Sequence, residues 1–321
     1  MATQPSPDDA TARGVMSRLR DSGWLIDDRH RDMTESALRW MLAHRARDGA
    51  GDYAKVAAFS STFAYYCLPR QAQARLQDLC SKLLVVIYML DNATEEQFEE
   101  HRASTRRVIE ARGPSQPRSA FEQMFQELVQ EVVLAGRPAE RFMTSWMSVC
   151  DAIAQERARG GEISLDELIA IRRETIFADV FVDFGCAVLR IDLSEDELDD
   201  VRTLRRLSND HMFMTNDIAS LEKDMEKRDE PNIVLALQRD GLARHPDEAI
   251  DIVIDLCNQR AREVERERER VLERSPHARV EQLLELEIAT LNGNLDTSIH
   301  LCLFRYKDFG LRRILRVRLN D

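Results

Sequence analysis

Short clusters of glycine and proline divide this chain into segments that contain few other helix-breaking residues. The clusters lie at 47–52, 67–70, 111–117, 135–138, 159–162 and 274–277. Between them Leu, Ala, Arg and Glu dominate, and β-branched residues rarely alternate with polar ones, so the segments favour helix over strand. With only 12 glycines and 9 prolines among 321 residues, the sequence predicts an all-α fold.

The helical segments are expected to form one domain. No break is long or polar enough to act as a linker, no internal repeat is found, and a hydrophobic content of 44% suffices for a large core. We therefore predict a disordered segment over 1–14 and a single helical domain over 15–321. Residues 83–90 and 177–189 are apolar on nearly every side, which is typical of helices at the centre of a bundle or on the wall of an apolar cavity.

Charge, cysteine spacing and the length of the apolar runs disfavour several classes of protein. A net charge of −12 argues against nucleic acid as a partner, because binding a phosphate backbone needs a basic face. The six cysteines show no paired spacing, which favours free thiols and a cytoplasmic location. The apolar run 83–90 is far shorter than the ~20 residues that cross a bilayer, so no membrane span is predicted.

The apolar run 83–90 ends in a group of polar and acidic residues: Asp91, Asn92, Glu95 and Glu96. If the helix continues for another turn, Asp91 and Glu95 share one face at its C-terminal end. Acids there oppose the helix dipole unless a cation offsets them. The alternative is that Asp91 begins a turn and the following Thr caps the next helix, whose first turn then holds both glutamates.

A second group of oxygen-bearing side chains recurs at intervals of four residues. Asn216, Ser220 and Asp224 would lie on one face of a helix, because each step of four rotates it by only about 40°. An amide oxygen, a hydroxyl and a carboxylate are hard ligands that suit Mg²⁺. The residues just before them, 212–214, are apolar, so the polar face can point into the protein. The alternative is an ordinary polar helix face.

Residues 216–224, NDIASLEKD, resemble the second metal-binding motif of class I terpene synthases, NDxxSxxxE. Asp224 stands in place of the usual Glu, and Lys223 occupies the basic position often found before that last acid. The resemblance implies that Asn216, Ser220 and Asp224 bind Mg²⁺.

Residues 90–96, LDNATEE, resemble the aspartate-rich motif of the same family, at the expected place after a long apolar helix. Asn92 stands where a second Asp is common. Either Glu95 or Glu96 closes the motif, and the sequence leaves that choice open.

Two further segments match the family in the right order. Residues 230–237 resemble the segment that follows the second metal motif, and 293–306 resemble a late helix that ends in the pair Arg305 and Tyr306. The resemblance covers roughly 55–310.

In the family, an arginine upstream of the second motif helps to sense the diphosphate. Arg172 and Arg173 lie 44 and 43 residues before Asn216. We favour Arg172 slightly because Thr175 and Ile176 then follow it by three and four residues, as the family pattern requires.

The resemblance implies a class I terpene synthase: an α-helical bundle around a central apolar cavity that uses Mg²⁺, three ions in the family, to ionise a linear prenyl diphosphate. Farnesyl or geranylgeranyl diphosphate is the expected substrate, and the carbocation would cyclise to a terpene hydrocarbon or alcohol. The implied metal ligands are Asp91, Asn92, Glu95, Glu96, Asn216, Ser220 and Asp224. The implied diphosphate-binding residues are Arg172, Arg173, Lys223, Arg305 and Tyr306.

Aromatic side chains on the cavity wall would stabilise such a carbocation through their quadrupoles. The candidates are Phe63, Tyr65, Tyr66, Trp146, Phe177, Phe181, Phe184 and Phe213, each of which is also a candidate for the core. Thr297 stands where the family commonly has Trp, which alters the expected cavity shape and leaves the metal ligands unchanged.

Two other functions remain open at this point. A prenyl chain-elongating transferase shares the helical scaffold but uses two aspartate-rich motifs, whereas the second group here is Asn, Ser and Asp. A catalytically silent protein that binds a diphosphate is the other alternative, because Asn92 replaces an acid. The family resemblance also allows a homodimer.

Overall fold

Thirteen α-helices follow one another in the computed structural model, which describes residues 7–44, 53–111, 116–158, 163–227, 231–304 and 313–317. They are α1 (Pro7–Asp21), α2 (Asp28–Ala43), α3 (Tyr53–Cys67), α4 (Ala74–Asp91), α5 (Glu95–Ala111), α6 (Ala120–Val132), α7 (Arg137–Ala158), α8 (Leu165–Thr175), α9 (Ala178–Leu189), α10 (Glu195–Lys227), α11 (Ile233–Arg239), α12 (Pro246–Arg274) and α13 (Ala278–Phe304). A short 3₁₀ helix spans Val133–Ala135. These ranges contain no strand, and the predicted all-α fold is confirmed.

The helix ends follow local chemistry. Ser164 and Glu167 form a reciprocal capping box at the start of α8, and Asp27 caps α2 by accepting a hydrogen bond from the His30 amide. Each cap satisfies backbone N–H groups that lack a partner inside the helix. The break between α8 and α9 is different, because residues 176–177 contain no glycine or proline.

The first helix begins at Pro7, inside the segment 1–14 for which disorder was predicted from the sequence. Its apolar residues Ala12, Val15, Met16 and Leu19 are at most 6% exposed and pack into the main core. Their spacing of three and four residues places them on one face of the helix. Burial of this apolar face explains why the segment forms a helix although its composition is mostly polar.

Several pairs of helices pack closely against one another. Helix α10 packs against α12 and α13, α3 packs against α2, α4 and α13, and α7 packs against α9. As predicted for the apolar segments, α4 and α9 lie at the centre, with Leu83, Val85 and Val182 fully buried. Within the described ranges, no helix combines the length and the apolar character needed to cross a membrane.

One close helix contact depends on a glycine. A Cβ atom added to Gly293 in α13 would lie 2.3 Å from the carbonyl carbon and oxygen of Tyr66 and 2.4 Å from the Cα of Cys67. These are backbone atoms of α3, so they cannot rotate away as a side chain can. The approach of α3 and α13 therefore requires glycine at this position.

We expect Gly293→Ala to lower the free energy of unfolding by about 2–3 kcal/mol, because overpacking against backbone forces the two helices apart. Denaturant titration followed by circular dichroism would measure the loss. Gly185→Ala is the matched control, because its Cβ would meet the Leu286 Cδ2 atom at 2.6 Å, and that flexible side chain can move. Equal losses in the two variants would contradict the argument.

Candidate active site

An apolar cavity lies between α3, α4, α8, α9, α10 and α13. Its lining residues are Phe59, Phe63, Cys67, Leu84, Ile87, Tyr88, Asp91, Arg172, Thr175, Ile176, Phe177, Ala178, Phe181, Met212, Asn216, Thr290 and Asn294. The cavity volume is about 150 Å³, which is below the ~300–1,000 Å³ typical of ligand sites. Side chains of the wall must therefore move apart before a long apolar molecule can enter.

Three polar residues from distant parts of the sequence meet at this cavity. Asp91 comes from the end of α4, Arg172 from α8 and Asn216 from the middle of α10. Asp91 is exposed, whereas Arg172 and Asn216 are partly buried. A carboxylate, a guanidinium group and an amide thus lie beside an otherwise apolar chamber.

The first acidic group is divided between two helices. Helix α4 ends at Asp91, and Asn92 is its C-cap residue, with Nδ2 donating to the Tyr88 carbonyl oxygen at 2.9 Å. Thr94 and Gln97 then cap α5 reciprocally, at 3.3 and 3.0 Å. The helix therefore does not continue for another turn, and Asp91 and Glu95 do not share a helix face.

The two glutamates lie in the first turn of α5 and are exposed. Glu95 is 3.5 Å from the Arg157 guanidinium, which also donates to the Ala93 carbonyl at 3.2 Å. Neither Glu95 nor Glu96 lines the cavity. Among the four residues of this group, the cavity wall includes Asp91 alone.

The second group, Asn216, Ser220 and Asp224, lies along one face of α10 and extends away from the cavity. Asn216 lines the wall, while Ser220 and Asp224 are each only 4% exposed. The Ser220 hydroxyl donates to Asp224 Oδ2 at 2.6 Å, and Asn232 Nδ2 donates to the same oxygen at 2.8 Å. The structure therefore brings Ser220 and Asp224 into direct contact one turn apart.

Arg172 and Arg173 point in different directions from α8. Arg172 Nη2 lies 2.5 Å from Asp217 Oδ1 and 3.4 Å from Asn216 Oδ1. Arg173 instead binds Asp210 through Nε at 2.5 Å and lines a separate charged cleft beside α12. Of the two arginines, Arg172 is therefore the one at the apolar cavity.

Asp217 is a buried acid that the sequence analysis did not select. Its side chain is fully buried, and burial raises its pKa to about 6, although the Arg172 guanidinium and the Ile233 amide oppose the rise. The Ile233 N–H donates to Asp217 Oδ2 at 2.8 Å. Asp217 thus links α8 to the start of α11. The sequence signal that could have identified it is its position directly after Asn216 in the motif.

The break between α8 and α9 forms part of the cavity wall. Ile176 and Phe177 lie there, and Phe177 has φ of +61°, a left-handed conformation that costs a residue with a side chain roughly 1–2 kcal/mol. Thr175 Oγ1 is buried without a hydrogen-bond partner among the described residues. Backbone strain and an unsatisfied hydroxyl at one place are features of functional sites rather than of ordinary helix ends.

The apolar wall is rich in aromatic side chains. Of the candidates named from the sequence, Phe63, Phe177 and Phe181 line the cavity, whereas Tyr65, Tyr66, Trp146, Phe184 and Phe213 do not. Sequence reasoning missed Phe59 and Tyr88. Both could have been inferred from the sequence, because they lie about one helical turn before Phe63 and Asp91, respectively.

Two polar residues of α13 also line the cavity and were not anticipated. Asn294 Nδ2 donates to the Met212 carbonyl at 3.2 Å, and Thr290 Oγ1 donates to the Leu286 carbonyl at 2.7 Å. Thr297, the departure from Trp, is fully buried and lies outside the lining.

Of three further predicted diphosphate ligands, only Lys223 is among the residues that the structure describes. Lys223 is partly buried on α10 and is absent from the lining. Arg305 and Tyr306 lie outside the residues that the structure describes.

The oxygen donors present fit magnesium. Mg²⁺ commonly binds one or two carboxylates, keeps several waters and completes its shell with substrate phosphate oxygens. Asp91 and Asp224 supply carboxylates, and Asn216 and Ser220 supply neutral oxygens of the hard type that Mg²⁺ prefers. Over the ranges given above, no group of three His, Cys, Asp or Glu side chains is placed to hold a metal ion.

An all-α bundle around an apolar cavity, with oxygen ligands beside it, defines the class I terpenoid synthase fold. Residues 82–263, which are more than half of the chain, match the family described as terpene synthase family 2, C-terminal metal binding. The chain therefore belongs to this family, as the sequence motifs predicted. The matched segment includes both oxygen-rich groups and both arginines of α8.

Solved structures of terpene synthases share the fold. Linalool/nerolidol synthase from Streptomyces clavuligerus matches with a TM-score of 0.66 and 17% identity over 93% of this chain and 99% of that chain. A variant of cucumene synthase gives 0.70 and 20% identity, over 84% of this chain and 95% of that one. For α-eudesmol synthase the values are 0.67 and 18%, over 85% and 96%.

Proposed function

We propose that this protein is a magnesium-dependent terpene cyclase that ionises a linear prenyl diphosphate. The observation that supports this most directly is the meeting of Asp91, Arg172 and Asn216 at one apolar cavity. A charged leaving group can sit beside these residues while the prenyl chain occupies the apolar chamber. A surface of exposed salt bridges lacks an apolar chamber, and a closed hydrophobic core lacks charged groups beside it.

In this proposal Asp91 on α4 holds metal at one side of the site, and Asn216, Ser220 and Asp224 on α10 hold it at the other. Asn92, Glu95 and Glu96 remain candidate ligands near Asp91, and three ions remain the number expected from the family. Magnesium, when bound, supplies positive charge that stabilises the departing diphosphate.

Arg172 would donate charge-assisted hydrogen bonds to the diphosphate, which are roughly twice as strong as neutral ones. Asp217 holds the guanidinium ready for this role, because it binds one face of the group through a short contact. Lys223, Arg305 and Tyr306 remain proposed as further donors from the resemblance. Arg173 is the weaker candidate, since it faces Asp210.

The apolar wall of the cavity would guide the steps that follow ionisation. Phe59, Phe63, Tyr88, Phe177 and Phe181 present aromatic faces or edges to the cavity, and aromatic quadrupoles stabilise cations. No protein nucleophile is required, because ionisation itself creates the reactive carbon. Exclusion of water by this wall would allow cyclisation before the cation is captured.

For the substrate we propose farnesyl or geranylgeranyl diphosphate. The cavity volume of about 150 Å³ does not rank the two, because the walls must move apart to admit either chain. Linalool/nerolidol synthase was crystallised with 2-fluorogeranyl diphosphate, which supports a prenyl diphosphate as the substrate class.

Incubation with geranyl, farnesyl and geranylgeranyl diphosphates tests the function. We expect Mg²⁺-dependent release of inorganic pyrophosphate, with cyclic hydrocarbons or alcohols detected by gas chromatography and mass spectrometry. Addition of a chelator should stop both. Absence of metal-dependent pyrophosphate release from all three substrates would leave the silent diphosphate-binding protein as the explanation.

A parallel incubation with dimethylallyl and isopentenyl diphosphates separates cyclisation from chain elongation. Consumption of isopentenyl diphosphate would identify a transferase and contradict the proposal. For the compartment we propose the reducing cytoplasm, because the five cysteines described, at 67, 80, 150, 186 and 257, are free and buried. A homodimer remains a prediction that light scattering can test.

A further inference from the structure

Asn232, the N-cap residue of α11, contacts the second oxygen-rich group from outside α10. Its Nδ2 donates to Asp224 Oδ2 at 2.8 Å and to the Asp217 carbonyl oxygen at 2.9 Å. Its Oδ1 accepts from the Val234 N–H at 2.9 Å. The side chain is 2% exposed, so water does not compete for these bonds.

These contacts fix the orientation of the amide. Both N–H donors and the oxygen of Asn232 are occupied. A flip of the amide would place Oδ1 against Asp224 Oδ2 and the NH₂ group against the Val234 N–H, which loses all three bonds. The Asn232 amide therefore has a single orientation, in which its NH₂ group donates to Asp224.

The length of Asp224 explains why such a donor matters. Aspartate is one methylene shorter than the glutamate usual at this position, so its carboxylate stays closer to α10. Oδ2 accepts hydrogen bonds from Ser220 on its own helix and from Asn232 on α11. Two donors on one oxygen restrict rotation of the carboxylate.

We infer that Asn232 is a positioning residue that orients Asp224 for metal binding. This inference rests on the proposed function. Partners that orient metal ligands in this way typically contribute about 10–100-fold to metal affinity. Asn232 would act through Asp224 and would not itself touch the metal.

The same short segment also reaches the arginine at the cavity. Ile233, next to Asn232, donates its N–H to Asp217 Oδ2 at 2.8 Å, while Arg172 binds Asp217 Oδ1. The start of α11 therefore holds both the Arg172 partner and the proposed metal ligand Asp224. Asn232 and Ile233 therefore help to order two parts of the site: the Asp224 carboxylate and the pair Arg172–Asp217.

Asn232→Ser tests the inference, because serine is a good helix N-cap and so removes the donor to Asp224 while keeping the cap of α11. Mn²⁺ binding in the presence of inorganic pyrophosphate, followed by electron paramagnetic resonance, is the direct readout. We expect the Mn²⁺ Kd to rise by about 10–100-fold. We also expect activity lost at low Mg²⁺ to recover as the Mg²⁺ concentration is raised.

Ser119→Ala is the control for the loss of an N-cap remote from the site: Ser119 caps α6 by accepting from the Glu122 N–H. That variant should lose stability without a change in Mn²⁺ affinity.

The outcomes separate the inference from the function on which it rests. Failure of the unaltered protein to bind Mn²⁺ with pyrophosphate would overturn both. Binding by the unaltered protein together with an unchanged Kd in folded Asn232→Ser would overturn the positioning role alone.

Discussion

Asp91→Asn is expected to lower kcat/KM by more than the roughly 10–100-fold that residues behind metal ligands contribute. The substitution removes one negative charge and keeps the shape of the side chain. Because Asp91 is exposed at the end of α4, the fold should not suffer. Removing an acid from a helix C-terminus is in fact slightly stabilising. Steady-state kinetics over a range of Mg²⁺ concentrations would measure the loss.

Asn92→Ala is the matched control for that experiment. Asn92 Nδ2 donates to the Tyr88 carbonyl at 2.9 Å as the C-cap of α4 and makes a longer contact with Asp91 Oδ2 at 3.4 Å. We therefore expect a smaller kinetic effect and a modest loss of stability. A larger effect at Asn92 than at Asp91 would show that the aspartate-rich motif has been assigned in the wrong register.

Arg172→Met is expected to lower kcat/KM by about 10²–10³-fold, the cost of losing a positioned donor to developing negative charge. It should also destabilise the fold, because it leaves Asp217 buried without its guanidinium partner. The double variant Arg172→Met with Asp217→Asn removes both charges and should recover much of the stability. Its activity should stay low, which separates the role in binding from the role in folding.

Arg173→Met is the control on the same helix. Its partner Asp210 keeps a second guanidinium, since Arg260 Nε lies 3.2 Å from Asp210 Oδ2. We expect kcat/KM close to that of the unaltered protein and a smaller loss of stability. A stronger kinetic defect in Arg173→Met than in Arg172→Met would place the diphosphate near Asp210, about two turns before Asp217 on α10.

Much of the fold could be predicted because its causes are local or periodic. Scarce glycine and proline and helix-favouring composition indicated an all-α chain, and the two apolar segments were correctly expected at the centre of the bundle. The break at residues 176–177 was not predictable from helix-breaking residues. Phe177 is buried there in a left-handed conformation, and local propensity does not report such strain.

The sequence by itself indicated the family through the resemblance of its two motifs, and it predicted that Asn216, Ser220 and Asp224 share a face, because spacing along a helix fixes which side chains lie together. The structure decided between the two alternatives left open at Asp91: α4 stops there and Glu95 belongs to the next helix, in agreement with the local caps at Asn92 and Thr94. Tertiary structure alone decided that Arg172 binds Asp217 while Arg173 binds Asp210, and that Asn232 reaches Asp224 across eight residues. These outcomes depend on contacts between helices, and a burial pattern along one chain does not specify which partner each side chain meets.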